Sequence, residues 1–94
     1  MALTVLVAYD ISRDSARAQV AAYLQQWGDR IQRSVFICAI SNSDLTVVTQ
    51  RIATMINPDT DAVHLLPVCG TCWSRTIVLG QADVEPDRPY WAAL

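Results

Sequence analysis

Asp10 is the first residue whose type and place suit chemistry: it closes the apolar run from Leu3 to Tyr9 and stands just before the turn into a helical segment. A carboxylate at the carboxyl end of a strand can hold a metal or handle a proton, and it can equally be a turn former bound to its own backbone. Alone it is a poor site for a divalent ion. Mg2+ is nevertheless often held by one or two carboxylates, with waters and substrate phosphates completing its octahedron. A two-fold dimer that brings two copies of Asp10 together would therefore give a shared pocket or one ion each. Arg13 and Arg17 follow, four residues apart near the start of the helical segment, and Arg30 and Arg33 flank the start of the next β-like run. Cations at a helix N-terminus oppose its dipole, so they call for a partner: Asp10 or Asp14 in a surface ion pair, or a phosphate drawn to the same helix end. Arginine on both sides of Asp10 predicts metal-dependent attack on a phosphodiester, with Asp10 activating the water and the four arginines holding the nucleic-acid backbone.

Other candidates are weaker. Tyr9, Trp27 and Phe36 can stack on bases, but Trp27 falls on an apolar helical stripe and Phe36 in an apolar strand, where core packing is the plainer role. Cys69-Gly70-Thr71-Cys72 has the spacing of half a zinc knuckle or of a redox pair, with no second pair of ligands. His64 is the single histidine and lies within a β-like run, so no serine or cysteine triad can be assembled around it. Glycines at 28, 70 and 80 are too scattered for a phosphate loop.

The elements that must position these residues follow from periodicity. Leu3 to Tyr9 is apolar on both faces, Leu3, Val5, Val7 and Tyr9 on one and Thr4, Leu6 and Ala8 on the other, as in a strand covered on both sides. Ser12 is placed to cap a helix whose stripe of Ala16, Val20, Tyr23, Leu24 and Trp27 ends at Gly28. Residues 30–40 turn β-like again, as one bent strand or two sharing a hinge near Ser34. A second helix starts near Asp44, buries Leu45, Val48, Ile52 and Met55 or Ile56, and stops at Asn57-Pro58-Asp59. Residues 62–68 form a further strand; the Cys69–Cys72 stretch is a turn, and residues 75–79 an extra strand.

This order is the ferredoxin-like βαββαβ pattern, an α+β sandwich with an added C-terminal strand. Helices on one face leave the other needing cover, which predicts a homodimer with its sheets face to face. The expected division is a domain over residues 1–80 and a tail over 81–94, in which Pro86 and Pro89 limit regular structure and Tyr90-Trp91 is apolar enough to anchor on a partner.

Composition bounds the function. The chain's 94 residues, 52% apolar, carry a formal net charge of −2, which fits one small soluble domain and excludes a strongly basic nucleic-acid binder. All seven basic residues are arginine. Residues 1–56 carry five arginines against four aspartates, a local +1, while residues 57–94 carry two against five acids, a local −3. No apolar run approaches the ~18 residues of a membrane-spanning helix, and the N-terminal residues lack a basic region and cleavage site. Three cysteines, one of them in an apolar run, argue against a disulfide framework and for the cytoplasm. A dimeric ligand-binding regulatory domain also fits such a fold.

Tyr9-Asp10-Ile11-Ser12, then Arg17, then Gly28-Asp29-Arg30-Ile31-Gln32-Arg33-Ser34-Val35-Phe36 closely resembles CRISPR-associated protein two, the smaller adaptation protein of CRISPR systems. The similarity extends over about residues 3–80 and includes Asp61-Ala62-Val63-His64-Leu65-Leu66-Pro67-Val68. It implies a ferredoxin-like homodimer with Asp10 of each subunit near the two-fold axis as the Mg2+-binding residue. The implied activity is metal-dependent cleavage of single-stranded RNA or double-stranded DNA, and the implied role in antiviral defence is to bridge two dimers of the CRISPR integrase. Arg17, Arg30, Tyr9 and Phe36 match the motif; Arg13 and Arg33 rest on the charge argument alone. The absence of lysine and the acidic second half depart from what tight, salt-sensitive DNA binding asks for.

Overall fold

The computed structural model describes residues 2–80, so Tyr90 and Trp91, with the rest of the expected tail, lie outside the described residues. Strand β1 (Ala2–Asp10) leads into helix α1 (Asp14–Leu24), the hairpin of β2 (Gly28–Gln32) and β3 (Val35–Ser41), helix α2 (Asn42–Ala53), strand β4 (Ala62–Val68) and a short helix α3 (Gly70–Ser74). The strands make one antiparallel sheet in the order β2-β3-β1-β4. Of the two readings of residues 30–40, the hairpin is therefore the one adopted, and it turns at Arg33-Ser34.

Both faces of β1 are used, as its composition requires. On one face Val5, Val7 and Tyr9 meet Phe36, Cys38 and Ile40 of β3 beneath Val20, Ala21 and Leu24 of α1 and Val48 and Ile52 of α2. Val5, Val7, Val20, Leu24 and Phe36 are fully buried, each removing about 1.5–3 kcal/mol of apolar surface free energy from water. On the other face Ile37 packs with Trp73 of α3, flanked by Leu6, Ile31 and Val68. The chain thus covers part of its second face with its own tryptophan, rather than leaving all of it to a partner.

Three local expectations need correction. Ser12 does not cap α1: the N-cap is Arg13, with no side-chain cap bond, and the Ser12 amide donates instead to Asp61 Oδ1 at 3.1 Å. Helix α1 ends at Leu24, so Gly28 is no cap; it opens β2, where a Cβ would stand 1.9 Å from the Ile37 carbonyl oxygen and 2.6 Å from Cys38 Cα. That approach of two backbones admits only glycine. The Cys69–Cys72 turn is the first turn of α3, capped by Cys69 Sγ, and residues 75–79 form no strand. Trp73, seated on Ile37, takes the chain into α3 after β4, and residues 75–79 run exposed. Helix α2 buries Val48 and Ile52 as expected but starts at Asn42, where Ser41 Oγ accepts from the Asp44 amide at 3.2 Å, and ends at Ala53, so Met55 and Ile56 pack from the turn that follows it. Among the described residues, no helix is long and apolar enough to cross a membrane.

Candidate metal and nucleic-acid site

At the end of the sheet where β1 stops, an open cleft of about 580 Å3 lies between the start of α1 and the β2–β3 hairpin. Its polar lining is Tyr9, Asp10, Asp14, Arg17, Arg30, Arg33 and Ser34, over a floor that includes Ile11, Ala18 and Ala21. Three of the four predicted arginines therefore meet around Asp10. Arg13, exposed at the α1 N-cap, is not part of the lining.

Asp10 occupies the last rung of the ladder, opposite Ala62 of β4, and is exposed. Among the described residues its carboxylate takes no hydrogen bond or ion pair, so its oxygens are open to a ligand. Backbone bonds hold it from both sides. The Tyr9 amide donates to the Ser34 carbonyl at 3.0 Å, tying β1 to the hairpin turn. The Ser12 amide donates to Asp61 Oδ1, and Asp61 Oδ2 accepts from the Asn57 amide at 2.9 Å, tying the β1–α1 loop to the α2–β4 connection. These bonds to the Asn57 and Ser12 amides hold the Asp61 carboxyl below the ordinary aspartate range.

The arginines divide by occupation. Arg17 pairs with Asp14 one turn earlier, and its Nη1 donates to the Ile11 carbonyl at 3.0 Å and the Ser12 carbonyl at 3.4 Å. It builds the loop as much as it charges the cleft. Arg30 sits opposite Phe36 in the β2–β3 ladder with its guanidinium carbon 5.2 Å from the ring centroid, and Phe36 in turn stacks on Tyr9 at 6.3 Å and 27°. Fully buried Phe36 touches no solvent, so its part is to shelve Arg30 and Tyr9 at the cleft wall. Arg33, in the hairpin turn, has no such anchor among the described residues and its charge is free for a phosphate. Sequence reasoning passed over Asp61 and Ser34, whose roles are backbone bonds across long sequence separations that no local motif announces.

Three groups stand apart from the cleft lining. His64 is exposed on β4, opposite Ala8. Trp27, in the turn after α1, packs edge-on against Tyr23 at 6.4 Å, and its indole N–H is buried without a hydrogen-bond partner among the described residues. Cys69 and Cys72 are exposed, and among the described residues no cluster of three or more His, Cys, Asp or Glu side chains could hold a metal.

The profile of the family described as CRISPR associated protein Cas2 matches residues 2–76. A CRISPR-associated endoribonuclease Cas2 of Rhodospirillum rubrum is 34% identical over 86 residues, covering 92% of this chain and 69% of its own length. One from Archaeoglobus fulgidus is 35% identical over 81 residues, covering 85% and 86%. Among solved structures, Streptococcus pyogenes Cas2 at pH 6.5 superposes with a TM-score of 0.74 at 27% identity, covering 83% of this chain and all of that one. A hypothetical protein of Thermus thermophilus gives a TM-score of 0.81 at 31% identity, covering 89% and 98%. The match over residues 2–76, joined to the four-stranded fold those structures share, places this chain in the Cas2 family.

Proposed function

We propose that this protein is a cytoplasmic, ferredoxin-like homodimer of CRISPR adaptation, which bridges dimers of the CRISPR integrase in antiviral defence and cleaves single-stranded RNA or duplex DNA with Mg2+ at Asp10. The observation that carries the reading is the cleft in which an unpaired Asp10 carboxylate is bordered by Arg17, Arg30 and Arg33. The βαββαβ order with strands arranged β2-β3-β1-β4 supports the ferredoxin-like description. Dimerisation is supported by the exposed apolar residues Leu66, Ile77, Val78 and Leu79, the last 88% exposed.

Among the described residues the cleft offers the ion one free carboxylate, Asp10, since Asp14 is engaged by Arg17. That donor set fits Mg2+, which accepts few protein oxygens and fills its shell with water and phosphate, and a second Asp10 across a two-fold axis would add to it. Bound there, Mg2+ would lower the pKa of a water and offset phosphate charge. The protein's own share is positional: Asp10 orients, Arg30 and Arg33 hold adjacent phosphates, and Tyr9 on its Phe36 shelf limits how the backbone can lie.

Two experiments test the two halves of the role. Purified protein with Mg2+ is expected to cut RNA or duplex DNA, and Asp10→Asn to lose about 100-fold or more of that activity; full activity in the variant overturns the nuclease. Removal of residues 81–94, which hold Tyr90 and Trp91, is expected to abolish co-purification with the integrase. An unaffected complex takes the tail out of the bridge.

A further inference from the structure

The three thiols of the described chain fall into two environments. Cys38 is fully buried in β3 beneath α1 and α2, and burial, aided by the charge of Asp29, pushes its thiol up to about 12. Cys69 and Cys72 are both exposed at the start of α3. Cys69 Sγ accepts the Cys72 main-chain N–H at 3.3 Å, so the first sulfur already lies against the backbone that carries the second. Two residues this close along one turn are within the reach that a disulfide between neighbouring side chains requires. Only Gly70 and Thr71 separate them, and the turn is held by Trp73, whose amide donates to the Cys69 carbonyl at 2.9 Å and whose ring is buried against Ile37.

We propose that Cys69 and Cys72 form a thiol–disulfide exchange site that takes a low-molecular-weight disulfide as its oxidising substrate, with Cys69 attacking and Cys72 resolving. The two sulfurs are unlike. The Cys72 thiol and then the Cys72 amide donate to Cys69 and hold its pKa below the ordinary thiol value, while the same neighbour raises that of Cys72. In the first step the Cys69 thiolate attacks one sulfur of the disulfide and expels the other as a thiolate. The Cys72 thiol then loses its proton to solvent, attacks Cys69 Sγ and expels the second thiolate, leaving a Cys69–Cys72 bond. Two protein thiols are oxidised, one disulfide is reduced to two thiols, and a reducing pool of small thiols reverses both steps. A zinc site is the competing use of such a pair, and it would need two more ligands than the described residues bring near.

The test uses the full chain, treated with oxidised glutathione, quenched in acid, alkylated and digested with trypsin. Cleavage after Arg33, Arg51 and Arg75 puts Cys69 and Cys72 together in the peptide Ile52–Arg75 and Cys38 alone in Ser34–Arg51. The expected result is an Ile52–Arg75 peptide about 2 Da lighter that resists alkylation until reduced. In Cys72→Ser, a glutathione adduct should accumulate on Cys69; in Cys69→Ser, adduct formation on Cys72 should slow by about tenfold or more. Stable adducts on both sulfurs of the unaltered chain, a link between two chains through these sulfurs, or no oxidation would each overturn the proposal. The readout is independent of the Asp10 cleft.

Discussion

Asp61 shows how a side chain outside the cleft fixes the loop that borders it. It accepts the Ser12 and Asn57 amides, and these bonds keep its carboxyl deprotonated below the ordinary range. Its folded pKa lies below its unfolded one, so its contribution is fully present above the unfolded value and is lost as pH falls through the folded value. Asp61→Asn keeps one acceptor oxygen and turns the other into a donor facing an N–H. The expectation is a lower Tm at neutral pH, with the gap from the unaltered chain narrowing as both are acidified below about pH 4. A gap that widens on acidification would contradict the assignment. Phe36 offers the second test at this scale. It is fully buried under Arg30 and beside Tyr9, so Phe36→Ala should cost about 3–5 kcal/mol in denaturant unfolding. Arg33→Ala should leave stability unchanged while weakening binding of RNA or duplex DNA and lowering the salt dependence of log Kd by about one unit.

Element by element, the chain was readable where one local rule acted alone. The two-faced β1 and the buried stripe of α2 with Val48 and Ile52 are written in alternation and periodicity, while the ends of α2 differ by a few residues from the expected ones. Gly28 was legible as special but for the wrong reason. It follows an apolar helical stripe, as a cap does, yet what demands it is the close crossing of β2 and β3, a tertiary fact. Gly28→Ala should therefore prevent correct pairing of the hairpin, seen as loss of the cooperative thermal transition. A fully folded variant would show that β2 can move aside. Helix α3 was missed because a cysteine sulfur caps it, where the usual signals are Ser, Thr, Asp or Asn, and because its stability comes from Trp73 meeting Ile37 far along the chain. In the cleft, Asp10, Arg17, Arg30 and Arg33 were found from residue type and place, whereas the shelf formed by Phe36 needed the β2–β3 register.

At the scale of the molecule, the helices α1 and α2 crowd one face of the sheet while, among the described residues, the opposite face receives only α3. Ile77 and Leu79, more than four-fifths exposed, extend beyond that helix with nothing among the described residues to cover them. Replacing both with aspartate is expected to turn the proposed homodimer into a monomer in analytical ultracentrifugation, with the fold of residues 2–74 retained by circular dichroism. An unchanged sedimentation coefficient would move the interface elsewhere. The two tethers on either side of Asp10, one to the hairpin through Ser34 and one to the α2–β4 connection through Asp61, have a further effect. A random-mutagenesis survey scored on the proposed cleavage should return hits at Asp61, whose side chain makes its tether, and few at Ser34, whose backbone carbonyl survives substitution, and the hits at Asp61 would not mark where substrate lies. Such hits would report the aim of a carboxylate, and their inactivity should ease with added Mg2+ far more readily than that of any change at Asp10 itself.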